Sequence, residues 1–243
     1  MTATSVARPR ISGERLFFSG MALLVLLSTF LGFAPTYYLR FVGPPPHPVE
    51  PLNPLVFLHG LAFSAWVLLF VSQTLLVATG RLARHKTFGV LALVLALAMI
   101  PLGIAVGIGG IHRPLTAPPG ISPLSWAAIP LLDVPVFGGL ILAALHYRRQ
   151  SQVHKRLMLC AMVDMLRPSL GRLLPALGAP GALPLLLPMV FLLPLIAYDL
   201  ITRRKVQPAT AWGTLVVVVA SILPLVVWNT PAWLAFAGWL GGL

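Results

Sequence analysis

Acidic residues are almost missing from this chain: five Asp and Glu stand against 17 Lys and Arg in 243 residues, a formal charge of +12. Charged side chains of both signs make up only 9% of the sequence, far below the roughly 25% of soluble domains. A water-facing surface cannot be built from so few charges. The single cysteine, Cys160, excludes an internal disulfide and a paired-cysteine redox centre. The spacings C-x-x-C-H and H-E-x-x-H are absent, as are a glycine-rich phosphate loop and a nucleophile elbow. So are paired D-x-x-x-D motifs and the acidic ligands of a di-iron centre. The last apolar segment has no lysine, which excludes a retinal Schiff base.

What the chain has in abundance is apolar sequence, 58% of residues. The stretch Asn53–Gly89 sets the pattern. It opens at a proline, runs uncharged through His59, Trp66 and Gln73, and closes in a basic turn with Arg81, Arg84, His85 and Lys86. Its apolar residues surround the helix instead of forming one face, and its length crosses a bilayer at about 1.5 Å per residue. Seven such segments are predicted, at about 16–34, 55–79, 88–111, 123–147, 157–174, 182–201 and 209–228. The Trp-rich end from Asn229 is too short to span and is expected along the surface or as an extension of the last helix pair. Residues 1–15 read as a polar tail and 16–243 as one all-α, polytopic transmembrane bundle.

The basic residues sit in short clusters between alternate apolar segments, which argues for topology signals and anionic headgroups and against nucleic acid. The tail, the second-to-third link, the fourth-to-fifth link and the sixth-to-seventh link carry most of them. Seven spans with the N-terminus cytoplasmic and the C-terminus outside satisfy this pattern. On the inner face it gathers Arg81, His85, His154, Lys155 and Arg156 beside the lipid headgroups.

Polar residues inside apolar segments are the candidate site. Asp133 lies mid-span between Pro130 and Pro135, where an unpaired carboxylate is costly. The fifth segment, the least apolar, supplies Asp164, Arg167 and Arg172, with Asp164 and Arg167 spaced i,i+3 for a pair. Asp199 is expected to pair with Arg203 or Arg204. His59 lies 26 residues before His85, about 39 Å along a continuous helix, so the two cannot share one metal. Gln73 falls on roughly the same helix face as His59, about 21 Å deeper. A polar cavity of His59, Gln73, Asp133, Asp164, Arg167 and Arg172 is therefore expected. Imidazoles on facing helices ligate haem iron or a transition metal, and His59 with His112 on the outer side is the candidate pair.

The run HGLAFSAWVLLFVSQTLLVATGRLARHKTFG, then HKRLM at 154–158 and Pro168 with Arg172, resembles a group of uncharacterised inner-membrane proteins, mostly proteobacterial. His59, Gln73, Gly80, Arg81, His85, Gly89, Asp133, His154, Lys155, Arg156 and Arg172 match that pattern. The resemblance implies a bacterial cytoplasmic membrane and no reaction class. Three functions are consistent with the residues. One is a redox-related protein holding haem b or a metal between helices. The second is a small transporter using Asp133 and Asp164. The third is a structural or accessory subunit, in a homo-oligomer or a larger membrane complex.

Overall fold

Proline and short polar caps start most of the helices. In the computed structural model, which describes residues 12–43, 49–178 and 183–243, Ser12 caps α1 (Gly13–Phe33) and Asn53 caps α2 (Pro54–Ala78), its Oδ1 accepting from the Val56 amide at 2.8 Å. Pro54 stands at the first helical position, where its missing N–H costs nothing. Most of the polar tail, His47 with its neighbouring prolines, and part of the fifth-to-sixth link lie outside the described residues. Gly80 ends α2 in the left-handed region, φ 77°, which side chains with a Cβ avoid. It lets α3 (Leu82–Gly110) begin at once. This start precedes the expected Phe88, because Arg84, His85 and Lys86 form the first turns of the helix instead of a loop.

A Ser122-capped turn, Pro123–Trp126, leads into α4 (Ala128–His146). The expected fifth segment is two helices, α5 (Ser151–Asp164) and α6 (Arg167–Ala176). Pro168 has no N–H to offer the Asp164 carbonyl, so the helical ladder breaks there. The expected sixth segment is also not one α-helix. It runs as a short turn, Leu183–Leu186, a 3-10 stretch, Leu187–Leu192, and α7 (Leu193–Arg203), with Pro188 and Pro194 again removing donors. Then come α8 (Pro208–Val227) and α9 (Pro231–Gly241). All regular structure among the described residues is helical.

Five helical stretches are long and apolar enough to cross a membrane: Gly13–Tyr38, Pro54–Ala78, Leu82–Gly110, Pro123–His146 and Pro208–Val227, with mean hydropathy of 2.1 to 2.6. Their outward faces are apolar. Leu58, Leu61 and Leu68 on α2, Val90, Leu91 and Val94 on α3, and Leu215, Val219 and Val226 on α8 are all exposed. Such a continuous apolar surface suits lipid and not water.

The innermost helix, α5, belongs to the polar fifth segment. Leu159, Cys160, Ala161, Met162, Val163 and Leu166 are buried, and α1, α4 and α8 pack around α5. The Trp66 indole of α2 donates to the Met162 sulfur at 3.1 Å. Wrapping the polar helix in apolar ones gives its charges partners and keeps them from lipid. Small residues permit close approaches. A Cβ at Gly32 of α1 would collide with the Ser169 main chain of α6, and one at Gly103 of α3 would meet Val134 of α4 at 2.8 Å.

Helix ends gather at two poles. At the first pole, Arg15 reaches the Ala78 carbonyl at 3.3 Å, Lys155 pairs with Glu14 at 2.5 Å, and Arg203 reaches Glu14 at 3.4 Å. The starts of α1, α5 and α8 and the ends of α2 and α7 thus meet there. At the opposite pole, Tyr37 and Tyr38 after α1 bond Phe57 and Ser64 early in α2, each at 2.8 Å. Arg113, after α3, donates to the Pro51 carbonyl at 2.6 Å. The C-terminal α9 packs across this pole: the Trp233 indole donates to the Leu124 carbonyl at 2.9 Å. The Trp-rich end is therefore a cap over α3 and the start of α4.

Candidate functional site

Arg167 is the centre of the polar interior. It is the first residue of α6, just past the break in the fifth segment, and its side chain is 1% exposed. One guanidinium nitrogen donates to Asp133 Oδ1 of α4 at 2.5 Å and to the Ala220 carbonyl of α8 at 2.9 Å. The other terminal nitrogen donates to Asp164 Oδ1 of α5 at 2.9 Å. Four helices therefore meet on one cation. The Ala220 carbonyl is free for this bond because Pro224, four residues on, has no N–H to occupy it. Reading the sequence for charges alone misses this acceptor. The signal is a proline four positions beyond a carbonyl on a neighbouring apolar helix.

The cluster is not balanced. Two carboxylates face one guanidinium, so fully ionised it would carry one negative charge in excess, with Asp164 1% and Asp133 13% exposed at the side chain. Nor is it saturated with hydrogen bonds. Asp164 Oδ2 and Arg167 Nε are buried and have no partner. An unpaired buried charge costs several kcal/mol, so a structure that retains it must neutralise it by another means.

The other residues expected in this cavity lie elsewhere. Arg172 donates to the Pro168 carbonyl of its own helix at 2.8 Å and lies over the Phe33 ring at 4.6 Å. His59 packs on Phe63, ring centres 4.2 Å apart, and its Nδ1 is buried without a partner. Neither residue bonds to Asp133, Asp164 or Arg167 among the described hydrogen bonds. His112, the proposed second ligand, is exposed beyond the end of α3. No group of three or more His, Cys, Asp or Glu able to hold a metal occurs among the described residues. Gln73 sits far down α2, and its main chain lies against His85. It belongs with the opposite pole from His59, because α2 is too long for one cavity to hold both.

The basic cluster also divides. Arg156 is fully buried and does not reach headgroups. It pairs with both carboxylate oxygens of Asp199, and a further nitrogen donates to Gln152 O at 2.9 Å and Oε1 at 2.7 Å. Asp199 completes its set with the Gln207 amide at 3.0 Å and the Thr210 hydroxyl at 2.5 Å. This corrects the expected pairing with Arg203 or Arg204. Arg203 turns to Glu14, and Arg204 ends α7 in the left-handed region, leaving Arg156 of α5 the cation nearest Asp199. The Arg156–Asp199 pair is balanced and satisfied, and its job is to lock α5, α7 and α8 together. Lys155 pairs with Glu14, while Arg81 is exposed. His85 and His154 approach each other, ring centres 6.4 Å apart. Comparison with family models, with curated proteins and with solved structures finds no match to this chain.

Proposed function

We propose that this is a small proton-translocating transporter of seven spans, with the Asp133–Arg167–Asp164 cluster as its proton-carrying site. One observation carries the reading: the buried Asp164 and the largely buried Asp133 share a single guanidinium, and Asp164 Oδ2 has no partner. A proton on the carboxylate pair removes the excess charge. A metal cation is the weaker choice, because hard cations take about six to eight oxygen ligands and the Arg167 Nε–H nearby would repel one. The site sits where a span is broken at Pro168 and a second, the sixth, is interrupted by a 3-10 stretch. Broken helices around an ionisable group are the usual seat of coupling sites in transporters.

The seven-span reading rests on the two poles. The interrupted segments 151–176 and 183–203 connect opposite poles, as the five long apolar helices do, so each would complete a crossing. Arg81, Arg84, Lys86, Arg148, Arg149, Arg203 and Lys205 are exposed at the pole where α1 starts. The positive-inside rule sets that pole in the cytoplasm of a bacterial cell and the C-terminal cap outside.

The test is proton movement into proteoliposomes containing a pH-sensitive dye, driven by an imposed membrane potential. Wild-type protein should acidify the lumen, and Asp133→Asn and Asp164→Asn should each stop it. Vesicles that stay proton-tight with wild-type protein, or flux that both variants preserve, would sink the proposal.

A further inference from the structure

The pole with the basic links holds a second cluster that the carboxylate site does not use. His85 lies in the first turns of α3 and His154 in the first turn of α5. His154 Nδ1 lies 2.8 Å from the Ala144 carbonyl of α4. A carbonyl can only accept, so Nδ1 carries the proton and Nε2 keeps its lone pair. His85 is arranged differently. Its ring lies against the main chain of Gln73, and its Nδ1 is buried with no partner. The Gln73 amide oxygen and nitrogen are buried and unpartnered as well. Helices α3 and α5 thus bring two imidazoles together with His85 Nδ1 unmet, where apolar packing would leave no polar atom. A ring held by a backbone carbonyl at one nitrogen and free at the other is the usual state of a metal-ligating histidine.

We propose that His85 and His154 bind a soft monovalent metal ion, copper(I), between their free ring nitrogens. The ring-centre separation matches an in-line pair. With a metal–nitrogen bond of about 2.0–2.1 Å and about 1.1–1.2 Å from nitrogen to ring centre, two imidazoles in line across one metal have centres about 6.2–6.6 Å apart. A tetrahedral angle would bring them to about 5.2 Å by the same lengths. The observed separation is 6.4 Å. Two-coordinate, near-linear binding suits copper(I), whereas zinc seeks four ligands. Charge points the same way. Arg81, Arg84 and Lys86 flank His85 in sequence and Lys155 follows His154, with Glu14 as the acidic residue that pairs with Lys155. A single positive charge is tolerated there at less cost than a double one. This site is independent of the carboxylate cluster, which lies on the far side of the Trp66–Met162 contact along α5.

The experiment uses full-length protein in lipid nanodiscs, purified through a tag without histidine. Copper(I) is titrated anaerobically against a chromophoric chelator, and silver(I) serves as a redox-inert probe. One equivalent of either should be held, with affinity lowered at least about 100-fold by His85→Gln or His154→Gln, beyond the about 10–100-fold typical of losing an outer-shell partner. Asp133→Asn should leave binding unchanged. X-ray absorption of copper-loaded wild-type protein should report two nitrogen donors in a near-linear arrangement, a readout that does not depend on a variant folding. No bound copper or silver, binding that survives both substitutions, or preference for zinc(II) would each overturn the proposal.

Discussion

Asp133→Asn and Arg167→Met should differ sharply in their effect on stability, although each removes one partner of the same ion pair. Arg167→Met leaves Asp133 and Asp164 facing each other without a cation, and it strips the donor from the Ala220 carbonyl. Removing one member of a buried pair costs about 3–5 kcal/mol. For a chain of this size about 2–4 °C of melting temperature corresponds to each kcal/mol, so the loss should be about 6–20 °C. Asp133→Asn instead removes the excess charge. Its amide oxygen still accepts from Arg167, and a hydrogen bond to a neutral group contributes about 0.5–1.5 kcal/mol net. The remaining Asp164–Arg167 pair is neutral without help from a proton. Stability should therefore stay within about 1 kcal/mol of wild type, about 2–4 °C. Thermal unfolding in one lipid or detergent, followed by tryptophan fluorescence, reads both. Equal losses for the two variants would refute the charge-balance reasoning and make Asp133 an ordinary structural partner.

Three further outcomes follow from the packing and topology. Asp199→Asn should destabilise by about 3–5 kcal/mol, because it orphans fully buried Arg156, while the fraction that folds keeps its proton flux. Gly32→Val should cost about 1–3 kcal/mol, since the new side chain meets the Ser169 main chain, and it should loosen α1 from α6 in hydrogen exchange. In a Cys160→Ser background, Leu177→Cys should react with an impermeant maleimide from outside and Arg149→Cys only from inside. Both positions are exposed, and labelling from one common side would remove the fifth segment from the spans.

Helix positions were largely readable because an apolar run of bilayer length has few alternatives. The exceptions are informative. The fifth segment reads as one helix from its pattern, but Pro168 breaks it where three charges must be accommodated. The first turns of α3 read as a loop because charge looked like a terminator; Arg84 and Lys86 instead extend the helix past the apolar zone. In the site, the i,i+3 spacing of Asp164 and Arg167 is visible in the sequence, and Asp133 stands out there as a lone mid-span acid. That the two acids share one arginine depends on helix rotation, which spacing within a single segment cannot supply. The Ala220 acceptor was hidden because a backbone carbonyl has no residue-type signature. Arg156 looked like a headgroup contact among its basic neighbours, and only the packing of α7 beside α5 reveals its partner.

The most direct test of the account is infrared spectroscopy of the carboxylic-acid C=O stretch, compared in H2O and D2O. Wild-type protein should show one buried carboxylic acid. The band should vanish in both Asp133→Asn and Asp164→Asn, because either change leaves one carboxylate balanced by Arg167, and it should roughly double in Arg167→Met. A wild-type protein with no such band, or a band that survives both asparagine variants, would contradict a proton held on the Asp133–Arg167–Asp164 cluster.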